Sequence, residues 1–144
     1  MKIFGTALFV LGLVSLAGMA TVSAAEKEAK KDTRIFELRV YHAAPGKMEA
    51  LHARFRDSTI KCFKKHGIEV IAFWVPLDPK GAEEKLYYIV AFPSKEAADK
   101  SWKEFRDDPE WKAAKEASEK EGTLVQKDGI ESTFLKPTDY SPVK

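Results

Sequence analysis

Glu37, Arg39 and Tyr41 occupy alternate positions in the segment 34–41, RIFELRVY. In an extended chain alternate side chains point to the same side. An acid, a guanidinium and a phenol would therefore share one face. A carboxylate and a guanidinium that leave water together must pair or hydrogen-bond. Two readings stay open for this trio. One is a structural ion pair at the core of an assembly; the other is the polar floor of a small-molecule pocket. A second group comprises His66, Trp74, Trp102 and Trp111. His66 could serve as acid or base near neutral pH, or could simply cap a helix end. The tryptophans have the spacing of core anchors, and could equally line an apolar cavity between helices and sheet.

Other chemistries are poorly supported. His42, His52 and His66 are the only histidines, and no HxH or HExxH spacing occurs. Cys62 is the single cysteine, which excludes an internal disulfide and a thiolate metal cluster. At a helical apolar position it reads as a small buried hydrophobe. There is no Gly-rich phosphate loop, no GxSxG elbow and no CxxC. No metal and no tightly bound cofactor are expected. Arg54, Arg56, Lys61, Lys64 and Lys65 form a basic stretch, interrupted by Asp57, that reads as a solvated face.

These residues sit in a chain of 144, enough for one domain. Its start is set apart. Lys2 precedes an uncharged, mostly apolar run to Ala25, and Val22-Ser23-Ala24 supplies small residues for a signal peptidase. Residues 1–24 read as a secretory signal peptide, with an uncleaved membrane anchor as the competitor. Residues 25–33 are charged and read as a flexible tether, and 34–142 form the domain. The formal net charge is +2, and removing Lys2 with the leader leaves +1. So small a charge gives no reason to expect nucleic acid, or a membrane after cleavage, as partner. An exported location, periplasmic or extracellular, follows from the leader.

The domain alternates clearly. Residues 34–41 form a strand, with Phe36, Leu38 and Val40 on the face opposite the polar trio. If those three face the helices, the trio faces the space between sheets. Pro45 opens a helix that carries Met48, Leu51, Phe55, Cys62 and Phe63 to about His66, where Gly67 caps it. Residues 68–75 form a second strand, and Pro76 marks it as an edge. Asp78 to Gly81 form a turn, and 85–92 form a third strand. Ser94 caps a second helix through Trp102 and Phe105. Asp108-Pro109 restarts a helix that ends near Gly122. Residues 130–135 are the last strand, and the tail after Pro137 reads as irregular surface. The order β-α-β-β-α-α-β gives a ferredoxin-like α+β fold: a four-stranded antiparallel sheet with helices on one face.

One helical layer covers one face of a sheet. The second and third strands are nevertheless apolar at nearly every position, so both their faces must be buried. Large uncovered apolar patches are rare on monomers. A second copy packed sheet to sheet across a two-fold axis supplies the missing cover, which predicts a homodimer. Tyr88→Asp is then expected to dissociate or unfold the protein.

The stretches FELRVY at 36–41, PGKMEALHARFRDSTIKCFKKHGI at 45–68, FWVP at 73–76, SWKEFRDDPEW at 101–111 and ESTFLKPTDYSP at 131–142 resemble the NIPSNAP family. They span most of 34–142 in order. The resemblance implies a dimeric α+β barrel, the architecture of antibiotic-biosynthesis monooxygenase-like and EthD-like proteins. It implies no common activity. Its animal members are associated with mitochondria and vesicle traffic, which the leader here does not support. Family members often carry His where Ser58 stands, so a role at that position does not carry over. The leading reading is an exported, dimeric module that binds a small apolar molecule or mediates an interaction. The alternatives are a cofactor-independent monooxygenase-like or isomerase-like enzyme acting on an apolar substrate, and a purely structural assembly partner.

Overall fold

The computed structural model describes residues 34–144. The signal peptide and tether read at 1–24 and 25–33 lie outside the described residues. Strand β1 is Ile35–Ala43. Helix α1 follows from Met48 to Lys65 in three windings: α-helical at Met48–Arg54, π-helical at Phe55–Thr59, α-helical again at Ile60–Lys65. Gly67, at φ 70°, ends it in the left-handed region that glycine enters without strain. Strand β2 is Glu69–Trp74, helix α2 Pro79–Glu84 and strand β3 Lys85–Phe92. Helix α3 is Lys95–Asp107, helix α4 Pro109–Ser118 and strand β4 Val125–Leu135. The four strands pair antiparallel in the order β2-β3-β1-β4. This is the ferredoxin-like α+β arrangement, with β1 and β3 central and β2 on the edge that Pro76 marks.

Three local differences from the expected elements have physical causes. Residues Pro79–Glu84 are helical rather than a turn and loop. Asp78 accepts a hydrogen bond from Gly81 N at 2.7 Å with Pro79 in the first turn, the same start signal that opens α4 at Asp108-Pro109. A Cβ at Gly81 would come within 2.6 Å of Asp78 Oδ2 and 2.8 Å of Pro76, so this tight cap requires glycine. Strand β4 begins at Val125 rather than Ile130. A register shift opposite Tyr41 and Ala43, with Asp128 at φ 56°, hides its first half behind a bulge. In α1, Thr59 Oγ1 donates to Arg54 O at 3.1 Å, and Ile60 N reaches back to Phe55 O. The extra residue of this π turn leaves no mark in the apolar spacing.

The core lies between the sheet and α1, α3 and α4. Leu51, Phe63, Tyr88, Val90, Phe92, Ala98 and Leu124 are almost wholly excluded from solvent. Aromatic rings hold its centre: Tyr88 packs against Tyr41, Phe55, Phe63 and Phe73 at centroid distances from 5.2 to 6.1 Å. Cys62 is buried there as a small hydrophobe, and burial, reinforced by Asp108 and Glu110, pushes its thiol above the ordinary value.

The faces of β1 are the reverse of the arrangement considered from sequence. Glu37, Arg39 and Tyr41 turn toward the helices; Phe36, Leu38 and Val40 turn to the open side of the sheet. The register pairs Arg39 with Tyr88 and Tyr41 with Leu86, both buried on the helical side. The Glu37–Arg39 pair therefore belongs to the interior of one chain, not to a space between two sheets. The tail after Pro137 is irregular as expected, but it leans on the open face. Pro137, Thr138, Ser141 and Val143 line a groove with Phe36, Ile71, Trp74 and Ile89, and Arg34 donates to Lys144 O.

Tyr88 is fully buried on the helical side, so Tyr88→Asp tests the core rather than an interface. Its hydroxyl lies beside Tyr41 without a hydrogen bond of ordinary geometry, and burial holds the phenol neutral by raising it well above its usual value. Tyr88→Asp is expected to abolish folding, because a carboxylate there has no partner. Tyr88→Phe is expected to fold with stability within about 1 kcal/mol of the parent. Urea unfolding followed by circular dichroism distinguishes the two; a folded Asp variant would contradict the placement.

Candidate functional site

A cleft of about 520 Å³ opens between α3, α4 and the β1–β4 side of the sheet. Its size lies within the range of roughly 300–1,000 Å³ that small-molecule sites occupy. Strand β1 supplies the floor through Arg39 and Tyr41. Helix α3 contributes Trp102 and Phe105, and α4 contributes Trp111. The alternation of β1 and the helical spacing of Trp102 and Phe105 aim these side chains into one space.

Glu37 fixes the floor from behind. Its carboxylate is only 1% exposed. Arg39 Nη1 donates to Oε1 at 2.6 Å, Ser132 Oγ donates to the same oxygen at 2.6 Å, and Trp102 Nε1 donates to Oε2 at 2.5 Å. One buried acid thereby ties β1, β4 and α3 together. The Arg39 guanidinium lies over the Trp102 ring at 4.4 Å and near the Tyr41 ring at 5.7 Å. Burial works against its charge but is outweighed, and with the Glu37 carboxylate hydrogen-bonded to it the guanidinium is held above its already high value. Arg39 is a permanent cation at the bottom of the cleft.

A second pair closes the far side. Arg54 Nη1 donates to Glu119 Oε1 at 2.7 Å, and the guanidinium carbon lies 5.3 Å from the Trp111 ring centre. Arg54 is buried, which corrects its reading as part of a solvated basic face; Arg56, Lys61, Lys64 and Lys65 are exposed. The π turn begins at the next residue, Phe55.

Of the seven residues singled out from sequence, Arg39, Tyr41, Trp102 and Trp111 line this cleft, and Glu37 stands directly behind it. His66 and Trp74 do not join them. Trp74 is half exposed and lines grooves on either side of the edge strand β2. His66 Nε2 lies 2.6 Å from Asp108 Oδ2. Asp108 also accepts from Lys65 Nζ at 2.8 Å and from the backbone N–H groups of Glu110 and Trp111 at 2.7 and 3.3 Å. This cluster sets the start of α4, and so the position of the Trp111 wall. Sequence reasoning missed Arg54, Arg106, Lys115 and Glu119, which complete the cleft. Arg54 alone carried a signal, since it falls between Leu51 and Phe55 on the apolar stripe of α1. Among the described residues, no three His, Cys, Asp or Glu side chains gather as a metal site would require, and no helix is long and apolar enough to cross a membrane.

A four-stranded antiparallel sheet, one helical layer and a cleft between them define a ferredoxin-like α+β domain with a ligand-sized cavity. The sequence profile of the NIPSNAP family matches residues 36–142, and the chain belongs to that family. A NIPSNAP family protein of unknown function from Agrobacterium tumefaciens, solved at 1.50 Å, aligns with TM-score 0.65 at 20% identity, over 78% of this chain and 96% of that one. An uncharacterized NIPSNAP-like domain protein from Burkholderia xenovorans also gives 0.65, at 16% identity over 77% and 90% of the two chains. A second NIPSNAP family protein from A. tumefaciens gives 0.65 at 22% identity over 77% and 99%. At such identities these likenesses speak to the fold. None of the curated proteins matches the chain.

The Asp108 carboxyl is held well below the usual carboxylate range by hydrogen bonds from Lys65 and His66, which outweigh burial, with two backbone N–H groups adding to the effect. A carboxyl depressed in the folded state stabilises fully above its unfolded value of about 3.9, and that stabilisation fades as pH falls below it. Asn caps helices as well as Asp but carries no charge. Asp108→Asn is therefore expected to flatten the acid limb of stability between about pH 4 and 2.5, read by urea unfolding at each pH. Equal slopes for parent and variant would contradict the role assigned to Asp108.

Proposed function

We propose that this chain acts as an exported homodimer that binds a small, largely apolar molecule in the cleft between α3, α4 and the sheet. One observation carries the binding reading: four aromatic side chains line a cavity of ligand size whose floor is a half-buried, permanently charged arginine. Apolar walls with a few fixed polar groups are the general character of small-molecule sites. The donors are held in place by the Glu37 network, so little reordering opposes binding.

The homodimer draws support from the open side of the sheet. Leu38, Ile71, Tyr87 and Ile89 are half-buried there, and Leu135 and Trp74 are exposed. The tail leans on this face at one groove. A second copy packed there would complete a dimeric α+β barrel. Export is supported by the leader, whose cleavage would leave Ala25 as the first residue.

A second reading is a cofactor-independent enzyme. It is favoured by Tyr41, which lines the same cleft next to the Arg39 guanidinium. A phenol could move a proton while the guanidinium holds a developing oxyanion. In that case Tyr41→Phe would keep ligand affinity and lose turnover.

Sedimentation velocity of the chain from Ala25 at micromolar concentration is expected to give twice the monomer mass, and Ile89→Asp to give the monomer. A parent that runs as a monomer would overturn the dimer. The neutral, apolar fluorophore N-phenyl-1-naphthylamine is expected to bind the folded protein and to quench tryptophan emission. Trp111→Ala should weaken that binding severalfold; unchanged binding in this variant would move the site elsewhere.

A further inference from the structure

The polar groups of the cleft are not evenly matched. Its lining includes four cations, Arg39, Arg54, Arg106 and Lys115, and two carboxylates, Glu119 and Asp128. Arg54 is paired with Glu119 inside the cleft, and Arg39 with Glu37 behind it. Set aside those two pairs and Arg106 and Lys115 remain against Asp128, an excess of one positive charge. Neither Arg106 nor Lys115 forms an ion pair among the described residues. The cleft is thus both aromatic and cationic.

Arg39 also has donor capacity left over. A guanidinium carries five N–H donors. Arg39 gives one hydrogen bond to Glu37 through Nη1, and among the described residues its Nη2 donates to no protein group, while the side chain is 16% exposed at the cleft. Glu37, by contrast, accepts three hydrogen bonds, since Ser132 and Trp102 donate to it as well. Its charge is spread over three donors and draws less on the arginine than a bare carboxylate would. An anionic oxygen at the floor of the cleft would engage these accessible Nη donors, and a planar guanidinium suits a carboxylate.

We infer that the ligand of this cleft is a flat aromatic monocarboxylate, its ring seated among Tyr41, Trp102, Phe105 and Trp111 and its carboxylate held by Arg39 with Arg106 and Lys115 at the rim. This rests on the binding reading and adds the ligand class to it. A single charge matches the excess of one. A dianion such as a phosphate monoester would leave one negative charge facing Asp128 and Glu119. The ring requirement follows from the four aromatic side chains that share the lining with these charges, Tyr41, Trp102, Phe105 and Trp111.

Three probes of one shape test the assignment: 2-naphthoate, neutral 2-naphthamide and dianionic 2-naphthyl phosphate. Each is titrated by calorimetry into the intact folded protein at fixed salt. The expected result is 2-naphthoate at least tenfold tighter than the amide and tighter than the phosphate. In the double variant Arg106→Ala/Lys115→Ala, whose sites lie on exposed helix surface, the preference over the amide should fall severalfold. Arg39→Lys, which keeps the charge and loses the fork, should reduce the preference further. Equal affinity for acid and amide would overturn the carboxylate assignment and leave the binding reading standing. A tighter phosphate would overturn the single-charge assignment. Failure of all three probes to bind would overturn the binding reading with it.

Discussion

The carboxylate of Glu37 is buried in an aromatic interior, and the rest of the site depends on how it is satisfied. A charge taken out of water is strongly destabilising unless donors replace the lost solvent. Here Arg39, Ser132 and Trp102 do so, from the same strand, a neighbouring strand and a helix. Charge-assisted hydrogen bonds of this kind are short and directional. Their geometry fixes where α3 crosses the sheet, which way the Trp102 ring lies, and where the Arg39 guanidinium rests. The floor and one wall of the cleft follow from that one acid.

Asp108 performs a parallel task for the opposite wall. It caps α4 through two backbone donors while binding His66 and Lys65 at the end of α1. Arg54, just before the π turn, reaches across to Glu119 near the end of α4. Helix α4 has no fully buried residue of its own, so these polar ties, together with the Trp111 ring stacked 4.5 Å from Phe105, hold it in place. The cleft is therefore framed by two polar clusters with an aromatic core between them.

Much of this was legible in the chain. The alternation of β1, the near-continuous apolar run of β3, the Ser94 and Asp108-Pro109 caps, Gly67 and the edge position of β2 were all written locally and appear as read. The direction β1 faces was not, because both of its sides carry large side chains and the decisive partner of Glu37 is Trp102, sixty-five residues away. The helix at Pro79 carries the same Asp-Pro start signal as α4, but its short apolar-poor sequence favoured a turn. The bulge in β4 broke the alternation that would have announced its first half. In the site, aromatic and β1 residues were recognisable by type and period. Arg106 and Lys115 were not, since a lysine or arginine on a helix surface looks the same whether it faces bulk water or a cleft.

The cleft therefore stands or falls with the cooperation between Glu37 and Trp102. A double-mutant cycle of Glu37→Gln and Trp102→Phe, read by urea unfolding, measures it directly. A coupling energy of about 1–3 kcal/mol is expected for two groups joined by a buried charge-assisted hydrogen bond. Strictly additive effects would show that the acid does not hold the helix, and would contradict the origin of the cleft in that buried carboxylate.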